Sequence, residues 1–520
     1  MTALAYTTRS DDSMFLAADE AYADLKVWLT ALEAGAMSES ELQRELEPRG
    51  REIMRRLMQS HTTLRCQKVP TEEIVGEDGQ RRTHVRKGAL RQLLTVFGAV
   101  EVIRQGFGGR DMDSRFPVDA DLNLPQEKHS LEVRRRCALE AARGSYDEGV
   151  AALARTTGAL VAKRQFQQLA TRAAQDFDAF YDTTELDLSA EPTGRILVVS
   201  SDGKGIVMRF DGLRPATQKA AQKSEKKMTT RLSKGEKANR KRMATVCAVY
   251  TVAPWVRTPE SIVEGMRGLR EVTRASPRPR PEHKRVWASV TKPAKEAIAE
   301  AFEEAHLRDP HDDKRWVMLV DGELHQLKYV RERAKAIGAE ITIIVDFVHV
   351  LEYLWKAAYV FNGEGSKEAE QWVFERLLRV LQGKASTVAG GIRRSATLRG
   401  LSDKKRENAD KCAKYLVSNS QYLRYHEYLA DGLPIATGVI EGACRHLIAD
   451  RMDITGARWG LEGAEAVLRL RSLRSSGDFE EYWAFHEQQE RIRNHTSRYT
   501  EGGPPKLVAP IGHRHLRLVK

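Results

Sequence analysis

Arg195-Ile-Leu-Val-Val-Ser-Ser-Asp202-Gly-Lys-Gly-Ile-Val-Met-Arg209 is the stretch around which the chain is organised. Residues 196–199 are an unbroken, mostly β-branched apolar run, which reads as a strand buried on both faces. Asp202-Gly203-Lys204-Gly205 has turn chemistry and predicts a tight hairpin, with 206–210 as the returning strand. A carboxylate then stands at the end of the most buried strand. Asp before Gly often does no more than shape a turn. Here, however, the pattern of an acid at the end of an apolar element returns twice, at Leu319-Val-Asp321-Gly322 and at Thr437-Gly-Val-Ile-Glu441.

Outward from this stretch, the next segment is a basic arm over 219–242. Its cations include Lys226, Lys227, Arg240, Lys241 and Arg242, and its low apolar content reads as a solvated arm able to lie along a phosphate backbone. Residues 244–252 predict a further strand, 274–285 with Pro277, Pro279 and Pro281 a linker, and 292–305 a helix. Strand, helix and strand follow over 315–323, 326–336 and 340–346. The pattern then turns wholly helical to about 428. The sum is a mixed α/β sheet interrupted by a helical block.

Toward the N-terminus, 13–59 read as helices, and 60–110 as a small β module with a strand pair hinged at Gly98. Residues 131–143, 145–154 and 160–180 have the layout of a helix-turn-helix. Ser145 and Glu148 form a capping box on its second helix. Lys163, Arg164 and Gln168 are candidate DNA contacts on the third.

Composition narrows the class. The chain has 520 residues, 41% hydrophobic and 30% charged, with a net charge of +12. It is long enough for several domains. No run reaches the length of a membrane span and no signal pattern opens the sequence, so a cytoplasmic protein is expected. The five scattered cysteines make neither a disulfide framework nor a Cys-x-x-Cys zinc site. Gly203-Lys204-Gly205 is not a Walker loop and none occurs elsewhere, so ATP use is not indicated. The basic balance points to a polyanion.

Three carboxylates at element ends, Asp202, Asp321 and Glu441, suit a hard divalent cation, magnesium or manganese, better than zinc. Two such ions clamp the attacking and leaving oxygens of an in-line phosphoryl displacement. Asp346-Phe-Val-His349 puts two more polar side chains on one helical face. Asp346 is therefore an alternative to Asp321 as the second ligand, or with His349 a supporting pair. Gly456-Ala-Arg458-Trp459 offers a cation and an indole, read either as support for an unpaired base or as a packed corner.

Ser201-Asp202-Gly203-Lys204-Gly205, Leu319-Val-Asp321-Gly322, Asp346-Phe-Val-His349, Thr437-Gly-Val-Ile-Glu441-Gly-Ala-Cys-Arg445, Gly456-Ala-Arg-Trp459 and the Tyr482-Trp483 region together resemble the DDE transposases of bacterial insertion sequences. The likeness is specifically to the ISKra type, which belongs with the Mutator-like group, over about 49–483. The resemblance implies an RNase H-like core with a helical insertion, catalysis by Asp202, Asp321 and Glu441 with two magnesium or manganese ions, and support from Asp346 and His349. It implies double-stranded DNA as partner, both transposon ends and target, bound by a homodimer or higher homo-oligomer. On this reading the domains are a helical region 1–59, a β module 60–127, a helix-turn-helix-like DNA-binding domain 128–190, the core over 191–349 and 433–493, the insertion 350–432, and a basic tail 494–520. Lys204 is a candidate phosphate contact. A nuclease that hydrolyses without joining strands, and a regulator that only binds DNA, are the alternatives.

Overall fold

The computed structural model describes residues 12–183, 193–223, 240–268, 277–436, 438–454, 456–500 and 503–509. They fall into two units, Met1–Thr183 with Phe479–Lys520, and Thr184–Asp478.

The second unit is built on a five-stranded sheet. Its order is Glu282–Ser289, Lys241–Val252, Ile196–Val207, Arg315–Val320, Ile341–Val345. The first two pairings across it are antiparallel and the last two parallel. This is the expected mixed α/β sheet, and the long apolar run lies at its centre. Residues 196–201 are all buried, as a strand covered on both faces requires.

The hairpin expected at Asp202–Gly205 does not form. The central strand runs straight from Ile196 to Val207, and the Lys241–Val252 strand pairs with it through Asp202↔Val246, Gly203↔Thr245 and Lys204↔Ala244. Local turn chemistry loses here to a complete cross-strand ladder. The two glycines instead let the partner strand's side chains pass closely: a Cβ at Gly205 would stand 2.9 Å from Lys241 Cδ, and one at Gly203 3.1 Å from Met243 Cε. The segment taken for a linker also holds the edge strand Glu282–Ser289, whose first half is exposed and second half buried.

Helix Ala294–Arg308 covers the sheet, its Ala297, Ile298, Ala301 and Phe302 buried, and Leu324–Ile337 joins the two parallel strands. The helical block is present as Phe347–Phe361, Lys367–Leu381, Ala385–Leu398, Asp403–Ser418 and Tyr425–Ala430. Glu441 follows on helix Gly438–Ala443, which continues as a π-helical turn over Cys444–Ala449. The long helix Leu461–Ser476 closes the unit, its Glu465 carboxylate accepting from Ser289 Oγ and the Val290 amide, both at 2.8 Å.

The first unit holds helix Glu39–Cys66 and a three-stranded sheet with a hairpin between His84–Thr95 and Gly98–Gly109. The three helices of the expected DNA-binding layout are Leu131–Arg143, Tyr146–Thr156 and Lys163–Ala173, the last ending seven residues short of the expected 180. The capping box at Ser145 and Glu148 is formed. Gly149 lets the last two helices approach closely, since a Cβ there would stand 2.5 Å from Phe166 Cζ.

Helix Phe479–Asn494, expected at the end of the core, belongs to this first unit instead. A buried network holds it. Arg134, 1% exposed, pairs with Glu490 at 2.9 Å and Glu127 at 2.5 Å and donates to His486 Nε2 at 2.9 Å. His486 Nδ1 bonds Asp176 at 2.7 Å. Part of the expected tail is also ordered: Leu507–Val508 pairs with Val69–Pro70.

Candidate functional site

Strand register gathers the acids. Ser200 lies opposite Leu319 and Val320 opposite Val345. Continued past those pairs, Asp202, Asp321 and Asp346 stand at the same end of three adjacent strands. Alternation puts Asp202 and Lys204 on one face of the central strand.

Asp202 is half-buried. Its Oδ1 accepts from the Gly203 amide at 2.6 Å, and its Oδ2 accepts from the Cys444 thiol at 3.2 Å. Glu441 lies three residues before Cys444, on the same helical side. The thiol contact therefore brings the helix bearing the third acid against the strand bearing the first. Burial pushes the Cys444 thiol far up, Asp202 pushes it further, and nearby Lys204 opposes. This cysteine is inert packing, not a nucleophile.

Burial likewise pushes the Glu441 carboxyl above its ordinary value. Among neighbouring charges Asp346 adds most to this, with Glu352 and Asp202 adding too and His349 opposing. No ion-pair or hydrogen-bond partner of the Glu441 carboxylate is found among the described residues. Burial is the larger cause of the shift, and the neighbouring carboxylates add to it.

The two candidates for second acid differ in what holds them. Asp321 is half-buried; its Oδ1 accepts from the Glu323 amide at 2.8 Å, and its carbonyl accepts from Tyr415 Oη at 2.6 Å. Gly322 makes this turn possible: its φ is +87°, and a Cβ would stand 2.9 Å from Asn419 Nδ2. Gln326 ties the same corner to the central strand, Nε2 donating to Ser201 O at 2.7 Å and Oε1 accepting from the Asp321 amide at 3.2 Å. Asp346 is 3% exposed and caps helix Phe347–Phe361 by accepting from the Val348 amide at 2.8 Å. It is the acid whose charge Glu441 feels most. His349, one turn along, keeps a buried Nδ1 without a hydrogen-bond partner among the described residues.

Among the described residues no three His, Cys, Asp or Glu side chains stand close enough to hold a metal ion as they are placed. The donor chemistry fits a hard divalent cation: all-oxygen carboxylates at adjoining strand ends, burial and then neighbouring carboxylates raising Glu441, and an orphaned imidazole nitrogen beside them.

Sequence reasoning missed Glu352 and Cys444. Glu352 continues the three-residue step from Asp346 through His349, so helix phase could have found it. Nothing local marks Cys444, which is placed by contact with a strand 242 residues away.

The other candidates are spread out. Arg164 and Gln168 are exposed on helix Lys163–Ala173, while Lys163 pairs with Asp147 at 2.6 Å. Lys226 and Lys227 lie outside the described residues. Arg240 is half-buried and Lys241 exposed. Arg242 is occupied structurally, Nε donating to Val290 O at 2.8 Å and Nη1 to Gly212 O at 3.1 Å. Arg458 is exposed. Of the two readings left open for Trp459, packing is what its ring does: it is 6% exposed, donates to Met452 O at 3.1 Å and lies 4.7 Å from the Arg451 guanidinium.

All five cysteines are free and buried. Among the described residues no helix is long and apolar enough to cross a membrane. No protein-family model matches the chain, and no curated protein matches it.

Proposed function

We propose that the chain is a metal-dependent DDE transposase whose sheet-bearing unit is an RNase H-like core. The observation that carries this is the meeting of Asp202, on the central strand of a sheet with two parallel pairings on one side and two antiparallel on the other, with the helix bearing Glu441. The sheet order, the helical block between the last strand and that helix, and the acid at each parallel strand end are what an RNase H-like core with an insertion requires.

In this reading Asp202, Glu441 and one of Asp321 or Asp346 hold two magnesium or manganese ions. When bound, such ions activate water or a 3′-hydroxyl for attack on a phosphodiester and neutralise the charge that develops. The chain's own residues then have defined tasks. The carboxylates position the scissile phosphate's cationic partners. His349 fills out the same helical face. Lys204, on the Asp202 face, meets a phosphate oxygen. Helix Lys163–Ala173 and the basic arm contribute contacts to duplex DNA. Double-stranded transposon ends and target are the substrates, handled by a homo-oligomer.

The test is an assay on transposon-end DNA with magnesium. The reading requires both cleaved ends and joined products from the parent protein, and loss of both in Asp202→Asn with DNA binding retained. Hydrolysis without joined products would convert it into a nuclease; cleavage by Asp202→Asn at the parent rate would remove it.

A further inference from the structure

Strands Arg315–Val320 and Ile341–Val345 each stop one residue short of an acid, Asp321 and Asp346, so the backbone polar groups around both acids lie at or past the end of the ladder. Out of full contact with water, they still need partners. Four bonds answer for them. The Asp346 amide donates to Val320 O at 2.7 Å, which ties the two strand ends to each other. Gln326 Oε1 accepts from the Asp321 amide at 3.2 Å. The other two bonds come from tyrosines of the helical block. Tyr415 Oη donates to Asp321 O at 2.6 Å, and Tyr425 Oη donates to Val345 O at 2.7 Å.

These tyrosines stand on helices Asp403–Ser418 and Tyr425–Ala430, 94 and 80 residues from the carbonyls they reach. Both rings are braced. Tyr415 stacks on Tyr353, with centroids 4.0 Å apart and planes at 17°, and Tyr353 belongs to helix Phe347–Phe361, which Asp346 caps. Tyr425 is fully buried and meets Phe347, next to Asp346, edge-on at 6.3 Å. A tyrosine has only two side-chain torsions, so a packed ring leaves its hydroxyl little freedom. A carboxylate can swing about its own side-chain bonds to meet an ion, but the backbone that carries it must be held in place from behind.

We infer that Tyr415 and Tyr425 are positioning residues of the acidic site: with their hydroxyls the helical block fixes the backbone of Asp321 and of the residue before Asp346, and so sets where these acids can meet a divalent cation. The inference rests on the proposed function and gives the helical block a task in it. Two bonds of purely structural use would add stability alone, whereas positioning also adds affinity for the cation.

Manganese affinity, read by electron paramagnetic resonance on the full chain without DNA, separates the two, with melting temperature measured alongside. Tyr415→Phe and Tyr425→Phe each remove one oxygen and keep the ring. Each should weaken manganese binding by about tenfold, as the loss of a partner behind a metal ligand does, while duplex DNA affinity holds. In the cleavage assay kcat should fall by about as much, with KM for DNA unchanged. Tyr353→Leu leaves the Tyr415 hydroxyl but removes the ring that braces it, so manganese affinity should fall in the same direction by less. Tyr482→Phe is the control: in the first unit its buried hydroxyl makes the same kind of bond, to Ala173 O at 2.6 Å, so melting temperature should drop and manganese affinity should stay at the parent value. Parent manganese affinity in both Tyr415→Phe and Tyr425→Phe, with binding lost in Asp202→Asn, would overturn the inference and leave the proposed function standing. Loss in one of the two alone would overturn the role of the other tyrosine. An equal loss in Tyr482→Phe would overturn both roles, because affinity would then only follow stability. Parent affinity in Asp202→Asn as well would remove the proposed function together with the inference.

Discussion

Replacing Asp202 by asparagine keeps the side chain's shape while removing the charge that a cation needs. Cleavage should fall by about 10³-fold or more, and DNA binding should persist or tighten as repulsion from phosphate is relieved. Glu441→Gln should match it, and the double variant should lose little more, since the two act as one unit. His349→Ala should be milder, about 10–100-fold, as befits a supporting group. Glu441 also makes a prediction about pH. Its folded-state pKa is raised, so its contribution to stability is full below the unfolded value and is lost as pH rises through the folded one. Glu441→Gln should therefore melt at higher temperature than the parent at neutral pH without metal, and the gap should close at acid pH. A calorimetric series across pH with EDTA decides it; a variant less stable at neutral pH would contradict the sign. Divalent-cation affinity should fall as pH falls through the same interval, because the carboxyl must lose its proton to ligate. Asp202, Asp321 and Glu441 could be singled out from sequence because each ends an apolar run. Glu352 and Cys444 could not be so marked by their own neighbours, because helix phase and a contact between distant segments give them their place. Asp346 is legible in the sequence as a rival to Asp321, and the parallel register sets both at the same end of adjacent strands.

At the scale of the element, the close approach at Gly149 offers a clean test of the expected DNA-reading helix. A methyl group there meets the Phe166 ring, so Gly149→Ala should destabilise the first unit by about 1–3 kcal/mol. Denaturant unfolding reads the loss, and duplex affinity should drop with it while cleavage chemistry in the second unit is untouched. A fully stable variant would mean that the helices shift apart freely. The capping box of Ser145 and Glu148 was legible because it is set by residues within one turn. The central strand shows the opposite case. Gly203-Lys204-Gly205 has every local mark of a turn, yet the ladder from Lys241–Val252 keeps it extended. Its glycines serve the neighbour's side chains, not a bend. The edge strand Glu282–Ser289 was hidden for a related reason: its first residues are charged and follow three prolines, and only its last four are buried. Tertiary pairing chose both outcomes.

Across the whole molecule, the basic residues divide by what already occupies them. Changing Lys226, Lys227, Arg240 and Lys241 to Gln should weaken DNA binding for every sequence and flatten its salt dependence by up to about one ion per residue. Arg242→Gln should act differently. It leaves the carbonyls of Val290 and Gly212 without their donor, so melting temperature should fall more than the salt slope. Titration of affinity against salt separates the two kinds of cation; an equal slope change in both sets would erase the distinction. The division of the chain was only partly legible, since helical periodicity assigns Phe479–Asn494 a secondary structure but not an owner. Arg134 decides that, by burying its charge against Glu490 and beside His486. This closure fixes a timetable for synthesis. The first unit starts within the opening 183 residues, but its last helix ends 311 residues later, by 494 − 183. At bacterial elongation speeds of about 5–20 residues per second, that wait lasts roughly 15–60 s. Throughout it the Arg134 pocket is open, while the sheet-bearing unit gains its last strand, ending at Val345, well before helix Phe479–Asn494 is made. Chains stalled past residue 478 but short of 494 should accordingly protect the second unit from protease and leave the first sensitive, so that the sheet-bearing unit is complete before the unit that carries helix Lys163–Ala173.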